Sequence, residues 1–175
     1  MSKKLEDYVI AIPDFPEEGV IFRDVTSILN SAEGFKLAID ELKARLEGVE
    51  FDAIAGLEAR GFLFGTPLSY LMDKPFIPVR KKGKLPRETV QKTYDLEYGT
   101  ATIEIHKDDV YKGEKIVLLD DLIATGGSLK AAAELFEELG CEIVKVVAVI
   151  ELAGLNGREV MKGYDVDSVI CYEGK

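Results

Sequence analysis

The sequence predicts an α/β fold, a central and mostly parallel sheet flanked by helices, with a small cap at the N-terminus and a flexible lid loop. Three observations carry this expectation. Residues 116–119 and most of 142–150 are apolar without alternation, as strands covered on both faces should be. Strand-like and helix-like stretches succeed one another along the chain, the order that builds a parallel sheet with helices on its faces. Over 115–135 an apolar strand runs through Asp120-Asp121-Leu122-Ile123-Ala124-Thr125-Gly126-Gly127-Ser128 into an Ala- and Leu-rich helix, which makes an anion site at the mouth of such a sheet.

In chain order, residues 8–25 hold two prolines and a glycine, which predicts an irregular, ordered cap. Phe15, Ile21 and Phe22 lie close together, and as a loop the cap is pinned to the core by its aromatics, the reading taken for Phe15. As a site, Ile21-Phe22-Arg23-Asp24 offers an aromatic beside free backbone groups, which a planar heterocycle needs. Between 33 and 46, Phe35, Leu37, Ile39, Leu42 and Leu46 recur at near-helical spacing among Lys and Glu, so an amphipathic helix is expected. Residues 51–56 read as the first core strand and 61 onward as the next helix. Their connection, Leu57-Glu58-Ala59-Arg60, repeats the strand-loop-helix logic and predicts a second anion cradle, with Arg60 set for bidentate phosphate contact. The plainer alternative is an Arg–Glu pair.

A short strand at 76–80 leads into Arg80-Lys81-Lys82-Gly83-Lys84-Leu85-Pro86-Arg87, five cations in eight residues of an otherwise acidic chain. From 82 to about 93 the chain is polar and basic, longer than a hairpin turn needs, and is expected to be a mobile lid suited to a small polyanion. Residues 101–106 alternate as a strand with one polar face, which places His106 at the surface. The strands at 116–119, 142–150 and 167–172 complete the sheet. No repeat or linker divides the chain, so one domain over 1–175 is expected.

At the central motif, Gly126 and Gly127 permit backbone angles that let successive N–H groups converge on one anion, with the following helix dipole behind them. Thr125 and Ser128 add hydroxyl donors. Asp120 and Asp121 at the strand end accept from neighbouring sugar hydroxyls or hold a divalent cation, so the ligand predicted is a ribose 5-phosphate. Gly-Gly-Ser alone would equally suit a plain turn with Ser128 as helix cap.

Bulk composition narrows the function classes. With 47% hydrophobic and 31% charged residues the chain is ordinary for a water-soluble protein, and no apolar run approaches the roughly 20 residues of a membrane span. The first residues lack the apolar core of a signal peptide, so the cytoplasm is the expected location. A net charge of -10 disfavours nucleic-acid backbones. Cys141 and Cys171 are isolated and flank apolar strands, which predicts buried structural thiols, and one histidine cannot complete a zinc site.

The string Asp120-Asp121-x-x-Ala124-Thr125-Gly126-Gly127-Ser128 resembles the phosphoribosyl-diphosphate (PRPP) signature of the type I phosphoribosyltransferases. Three further segments resemble the adenine-using branch of that family: Phe15-Pro16-x-x-Gly19-Val20-x-Phe22-Arg23-Asp24, Gly56-Leu57-Glu58-Ala59-Arg60-Gly61-Phe62, and Arg80-Lys81-x-Gly83-Lys84-Leu85-Pro86 with Tyr94-x-Leu96-Glu97-Tyr98-Gly99. The resemblance implies purine salvage, with transfer of 5-phosphoribosyl from PRPP to N9 of adenine to give AMP and pyrophosphate. It implies that Asp120 and Asp121 engage the ribose hydroxyls, that Ala124, Thr125, Gly126, Gly127 and Ser128 hold the 5′-phosphate, and that Arg60 holds pyrophosphate. Lys84 and Tyr98 would close from the lid and Arg80 would reach across a dimer interface. Phe22 would stack on the purine under a hood formed by about residues 1–30, with backbone groups of Val20 and Arg23 reading its edge. Glu97 would take the proton from the base. The resemblance also implies magnesium carried by PRPP with no direct protein ligand, a homodimer, and a cis peptide between Glu58 and Ala59. Ser128 stands where the family more often has Thr, and keeps the hydroxyl. Two alternatives are a sister enzyme for another purine base and a non-catalytic PRPP or nucleotide sensor.

Overall fold

In the computed structural model, which describes residues 2–174, β1 (Ile10–Pro13) and β2 (Ile21–Asp24) pair antiparallel, with Ile10 opposite Asp24 and Pro13 opposite Ile21. The irregular cap expected here is therefore a hairpin. Its sequence hid this because Pro13 closes β1 while Pro16 and Gly19, at φ +87°, fall in the turn, where neither interrupts a ladder. Ser27 anchors the hairpin: its Oγ accepts from the Ile10 N–H at 2.9 Å and lies 2.8 and 2.6 Å from the carbonyls of Tyr8 and Asp24.

α1 (Ala32–Arg45) starts at Ser31, whose Oγ accepts from the Gly34 N–H, and buries Ala38, Ile39 and Leu42. The main sheet then takes β3 (Ala53–Leu57), β4 (Phe76–Lys81), β5 (Thr89–Asp95), β6 (Thr100–His106), β7 (Lys115–Ile123), β8 (Glu142–Leu152) and β9 (Val166–Tyr172). Their spatial order is β5-β6-β4-β3-β7-β8-β9. The five strands from β4 to β9 are parallel, and β6 and β5 extend one edge antiparallel. α2 (Arg60–Leu71) and α1 cover one face, and α3 (Gly127–Glu138) covers the other.

This layering explains the unbroken apolar run of β7. Ile116 and Leu118 pack with Leu129, Ala132 and Phe136 of α3, whereas Val117 and Leu119 pack with Phe64 and Leu68 of α2 and Leu42 of α1. Both faces are dry, so no position selects for a polar residue. Each such side chain, fully buried, contributes roughly 1.5–3 kcal/mol. Gly56 and Gly65 leave room for the Phe76 ring, which an added Cβ would meet at 2.7 and 2.6 Å, so α2 lies close on the sheet.

The expected lid loop is shorter than its sequence implied. β5 begins at Thr89 and pairs with β6 from Thr89↔His106 to Asp95↔Thr100, leaving 82–88 as loop and 96–99 as a tight hairpin tip. Lys92 explains the difference, because its ammonium is met by Glu134 at 3.3 Å and by Glu138, both on α3. His106 is buried, not superficial: Asp109 Oδ2 lies 3.2 Å from Nδ1, and Nε2 accepts from the Arg87 N–H. Cys141 is buried as expected, but Cys171 is exposed on β9. Among the described residues no helix is long and apolar enough to cross a membrane.

Candidate active site

The ends of β3 and β7 and the starts of α2 and α3 meet at one rim of the sheet. There β7 continues beyond the point where its sequence turns polar, since Asp120, Leu122 and Ile123 remain in register with Ala148, Ile150 and Glu151 of β8. The two aspartates are thus strand residues and not loop residues. Strand alternation starts them towards opposite faces. Asp120 opens onto a cavity of about 180 Å³ shared with Glu58, Lys81, Tyr94 and Ser128. Asp121 is buried and lies with its Oδ2 2.8 Å from Arg60 Nε, a contact of charges without hydrogen-bond alignment. Arg60 therefore pairs with an aspartate, and the Arg–Glu alternative fails.

Burial, and then the charge of Asp121, push the Asp120 carboxyl well above the ordinary carboxylate value. In acid both folded and unfolded chains hold this proton and no penalty arises. As pH rises through the ordinary carboxylate range only the unfolded chain releases it, so wild-type stability falls until the raised folded value is passed. Asp120→Asn should accordingly melt higher than wild type at pH 7, at about 2–4 °C for each kcal/mol relieved, with the gap closing near pH 4. The same variant should bind PRPP more weakly. Calorimetric melts across pH check the first effect, and equal melting temperatures at pH 7 would contradict it.

Beyond β7, Gly126 adopts φ +83° and caps α3, which starts at Gly127. Thr125, Gly127 and Ser128 border a cavity of about 700 Å³, closed on its other sides by Tyr94, Asp95, Leu96, Glu97 and Val160. Exposed N–H groups of the first turn and the positive end of a helix of this length favour an anion there. Only Gly126 needs the conformation reserved for glycine; Gly127 is helical, and its missing side chain faces open space.

The 57–60 connection contains the implied cis peptide between Glu58 and Ala59. Glu58 gathers the basic stretch: Lys84 Nζ lies 3.1 Å from Oε2, Arg80 Nε lies 3.5 Å from Oε1, and the Lys81 N–H donates to Oε1. Burial works to raise its pKa, and the Lys81 amide, Lys84 and Arg80 outweigh burial and hold it below the usual carboxylate value. Gly61 presses α2 onto the end of β7, 3.1 Å from Asp120 Oδ1 for an added Cβ.

A third cavity, about 310 Å³, is lined mainly by apolar groups from Val20, Ile21, Phe22, Leu122, Leu152 and Leu155, with Arg23 and Arg60 at its border. It joins the three predicted base-site residues. Arg23 also borders this cavity, and its guanidinium lies over the Tyr172 ring, 4.0 Å from the centroid. Leu122, Leu152 and Leu155 escaped sequence reasoning, although the rule that ligands sit beyond the C-terminal strand ends could have singled out the ends of β7 and β8. Glu97 borders the phosphate cavity and not this one, and Tyr98 next to it is 87% exposed. Among the described residues no cluster of three His, Cys, Asp or Glu is placed to hold a metal ion.

The comparisons with known proteins agree with this geometry. The family model of the phosphoribosyl transferase domain matches residues 25–173. The chain is 64% identical over 173 residues to the adenine phosphoribosyltransferase of Agathobacter rectalis, with 99% of both chains covered. Its fold matches the crystal structure of adenine phosphoribosyltransferase from Thermoanaerobacter pseudethanolicus with a TM-score of 0.92 at 48% identity, over 96% of this chain and 98% of that one. The enzyme of Saccharomyces cerevisiae, complexed with an imino-altritol bisphosphate and adenine, matches with a TM-score of 0.89 at 40% identity, over 94% of this chain and 96% of that one. Matched over nearly its whole length by sequence and by fold, the chain belongs to the adenine phosphoribosyltransferase branch of the phosphoribosyltransferase family.

Proposed function

We propose that this protein is a purine-salvage enzyme that transfers the 5-phosphoribosyl group of PRPP to N9 of adenine, forming AMP and pyrophosphate. The observation that carries this reading is a polar phosphate cradle and an apolar slot at one sheet rim, with Arg60 bordering the slot and contacting Asp121 beside Asp120. Amides and hydroxyls from Ala124 to Ser128 take the 5′-phosphate. Asp120 and Asp121 accept from the ribose hydroxyls. Arg60 and Lys84 leave their carboxylate partners for pyrophosphate, Arg80 reaches the pyrophosphate of the second copy across the dimer interface, and Tyr98 closes over it from the hairpin tip. Phe22 stacks on adenine while backbone groups of Val20 and Arg23 read its edge.

In the reaction the N9 lone pair forms the bond to C1′ as the bond from C1′ to the pyrophosphate oxygen breaks. The N7 proton passes to Glu97. Magnesium would fit as a passenger of PRPP, because Asp120 and Asp121, with Arg60 against Asp121, form no closed ligand cage; so bound, it would neutralise part of the pyrophosphate charge. We further propose a cytoplasmic homodimer; the exposed Leu63, Tyr70 and Leu71 on α2 supply an apolar face for a second copy.

Turnover with PRPP and magnesium, offered adenine, guanine, hypoxanthine or xanthine in turn, tests the reading. Adenine should be preferred by at least about 100-fold in kcat/KM, since a slot that pairs its backbone groups with one base edge leaves them unpaired with another. Preference for hypoxanthine would make the protein a sister enzyme. PRPP binding without turnover of any base would make it a sensor.

A further inference from the structure

Residues 152–160, a 3-10 turn at Ala153–Leu155 and the one-turn helix α4 (Gly157–Val160) joined by Asn156 at φ +58°, contribute to the wall of both cavities. Leu152 and Leu155 border the apolar slot, and Val160 borders the phosphate cavity. Between them the backbone of Gly157 lies directly on the phosphate loop. A Cβ on Gly157 would come within 2.5 Å of Ala124 O, and one on Gly126 within 2.7 Å of Gly157 O. So short a helix cannot hold its own shape.

Its anchor is Arg158. The guanidinium donates from Nε and Nη2 to the two oxygens of Glu151 at 2.7 and 2.8 Å, and from Nη1 to Val166 O at 2.7 Å. Glu151 is buried at the end of β8, and Ser168 Oγ on β9 donates to its Oε2 at 2.7 Å. A bidentate fork of this kind fixes direction as well as distance. None of these polar groups borders either cavity, so none touches substrate.

We propose that Arg158 is a positioning residue: through Glu151 and the Gly157 backbone it ties the wall to β8 and β9 and so fixes the spacing between the phosphate loop and the base slot. The proposal rests on the assignment of those two cavities to the 5′-phosphate and adenine. AMP spans both, so it senses the spacing, whereas a change that only lowers stability reduces the folded fraction and leaves the affinity of folded molecules intact.

Calorimetric titration with AMP, together with steady-state KM values for PRPP and adenine and a melting curve, tests it on Arg158→Met, Arg158→Lys and Gly157→Ala. Arg158→Met should weaken AMP by on the order of tenfold, less than the roughly 100-fold that an ångström of misplacement costs a reacting pair, and should raise both KM values. Arg158→Lys keeps the charge but not the fork, so it should fall between Met and wild type, and it carries the test alone if Arg158→Met does not fold. Gly157→Ala, with the fork intact, should weaken AMP by displacing the loop directly. Wild-type AMP affinity and KM values in Arg158→Lys with a lowered melting temperature would overturn the proposal. Failure of wild type itself to bind AMP would instead overturn the assigned function, and the proposal with it.

Discussion

Glu97→Gln is expected to slow single-turnover formation of AMP by about 10²- to 10⁴-fold, the usual worth of a general base, with PRPP affinity little changed. Glutamine keeps the size and hydrogen bonding of the side chain but cannot take the N7 proton. The structure gives Glu97 a place from which this role requires movement. It sits at the tip of the β5–β6 hairpin and borders the phosphate cavity but not the base slot. The tip lies outside the ladder that ends at Asp95↔Thr100 and is closed by the Leu96 N–H to Gly99 O bond, so it can swing without unzipping the hairpin. In the proposed reaction, closure would bring the carboxylate and exclude water in one motion. His106, the other conventional base, is buried at the far end of β6 against Arg87 and Asp109 and has no path to the base. A single-turnover rate within about threefold of wild type, far below the effect of removing a general base, would hand the role to water.

The second large effect belongs to the phosphate loop. Gly126→Ala should abolish measurable PRPP binding and lower the melting temperature. It places a side chain in the left-handed region, at a cost of roughly 1–2 kcal/mol, and drives its Cβ against Gly157 O at 2.7 Å, backbone that cannot turn aside. Gly127→Val separates the two consequences. Apart from its chain neighbours and its own helix backbone, its Cβ meets nothing within 4 Å, so the fold should survive, while the added bulk blocks the approach of the phosphate to the loop amides. Titration with PRPP and magnesium beside melting curves distinguishes them. Undiminished PRPP binding in Gly127→Val would show that the loop is only a turn, and a wild-type melting temperature for Gly126→Ala would show that the contact with Gly157 is slack.

The framework was legible because its signals are local. Four apolar residues in β7, the Ala-rich start of α3 and the Gly-Gly between them are contiguous, and each is decided by its own neighbours. What escaped depended on distant partners. The strand β5 looked like loop because Lys92 occupies an inward position, which only the α3 carboxylates of Glu134 and Glu138 make tolerable. Glu104 and His106 looked like a solvated face because their partners are backbone amides of the loop above them: Glu104 Oε1 accepts from Gly83 and Leu85, and His106 Nε2 from Arg87. No side-chain pattern announces such amides. At the site, Arg60, the 124–128 loop and the aromatic Phe22 were placed by motif, while Leu122, Leu152 and Leu155 were invisible as ordinary core leucines. That Asp120 borders a cavity while Asp121 lies against Arg60 was not legible, since it follows from β7 running past both.

Three cations proposed above to hold pyrophosphate already have carboxylate partners. Lys84 and Arg80 lean on Glu58, and Arg60 leans on Asp121. An incoming anion therefore competes with carboxylates of the protein for the same donors, and must win at several of them together. A lone orthophosphate, abundant in any cell that hydrolyses nucleotides, can dislodge one partner at a time and gains little by it. A sugar carrying a phosphate at one end and a pyrophosphate at the other displaces them in concert. On that assignment, discrimination between the metabolite and the simple ions around it would be set before any contact with the base, by rivals stationed inside the pocket.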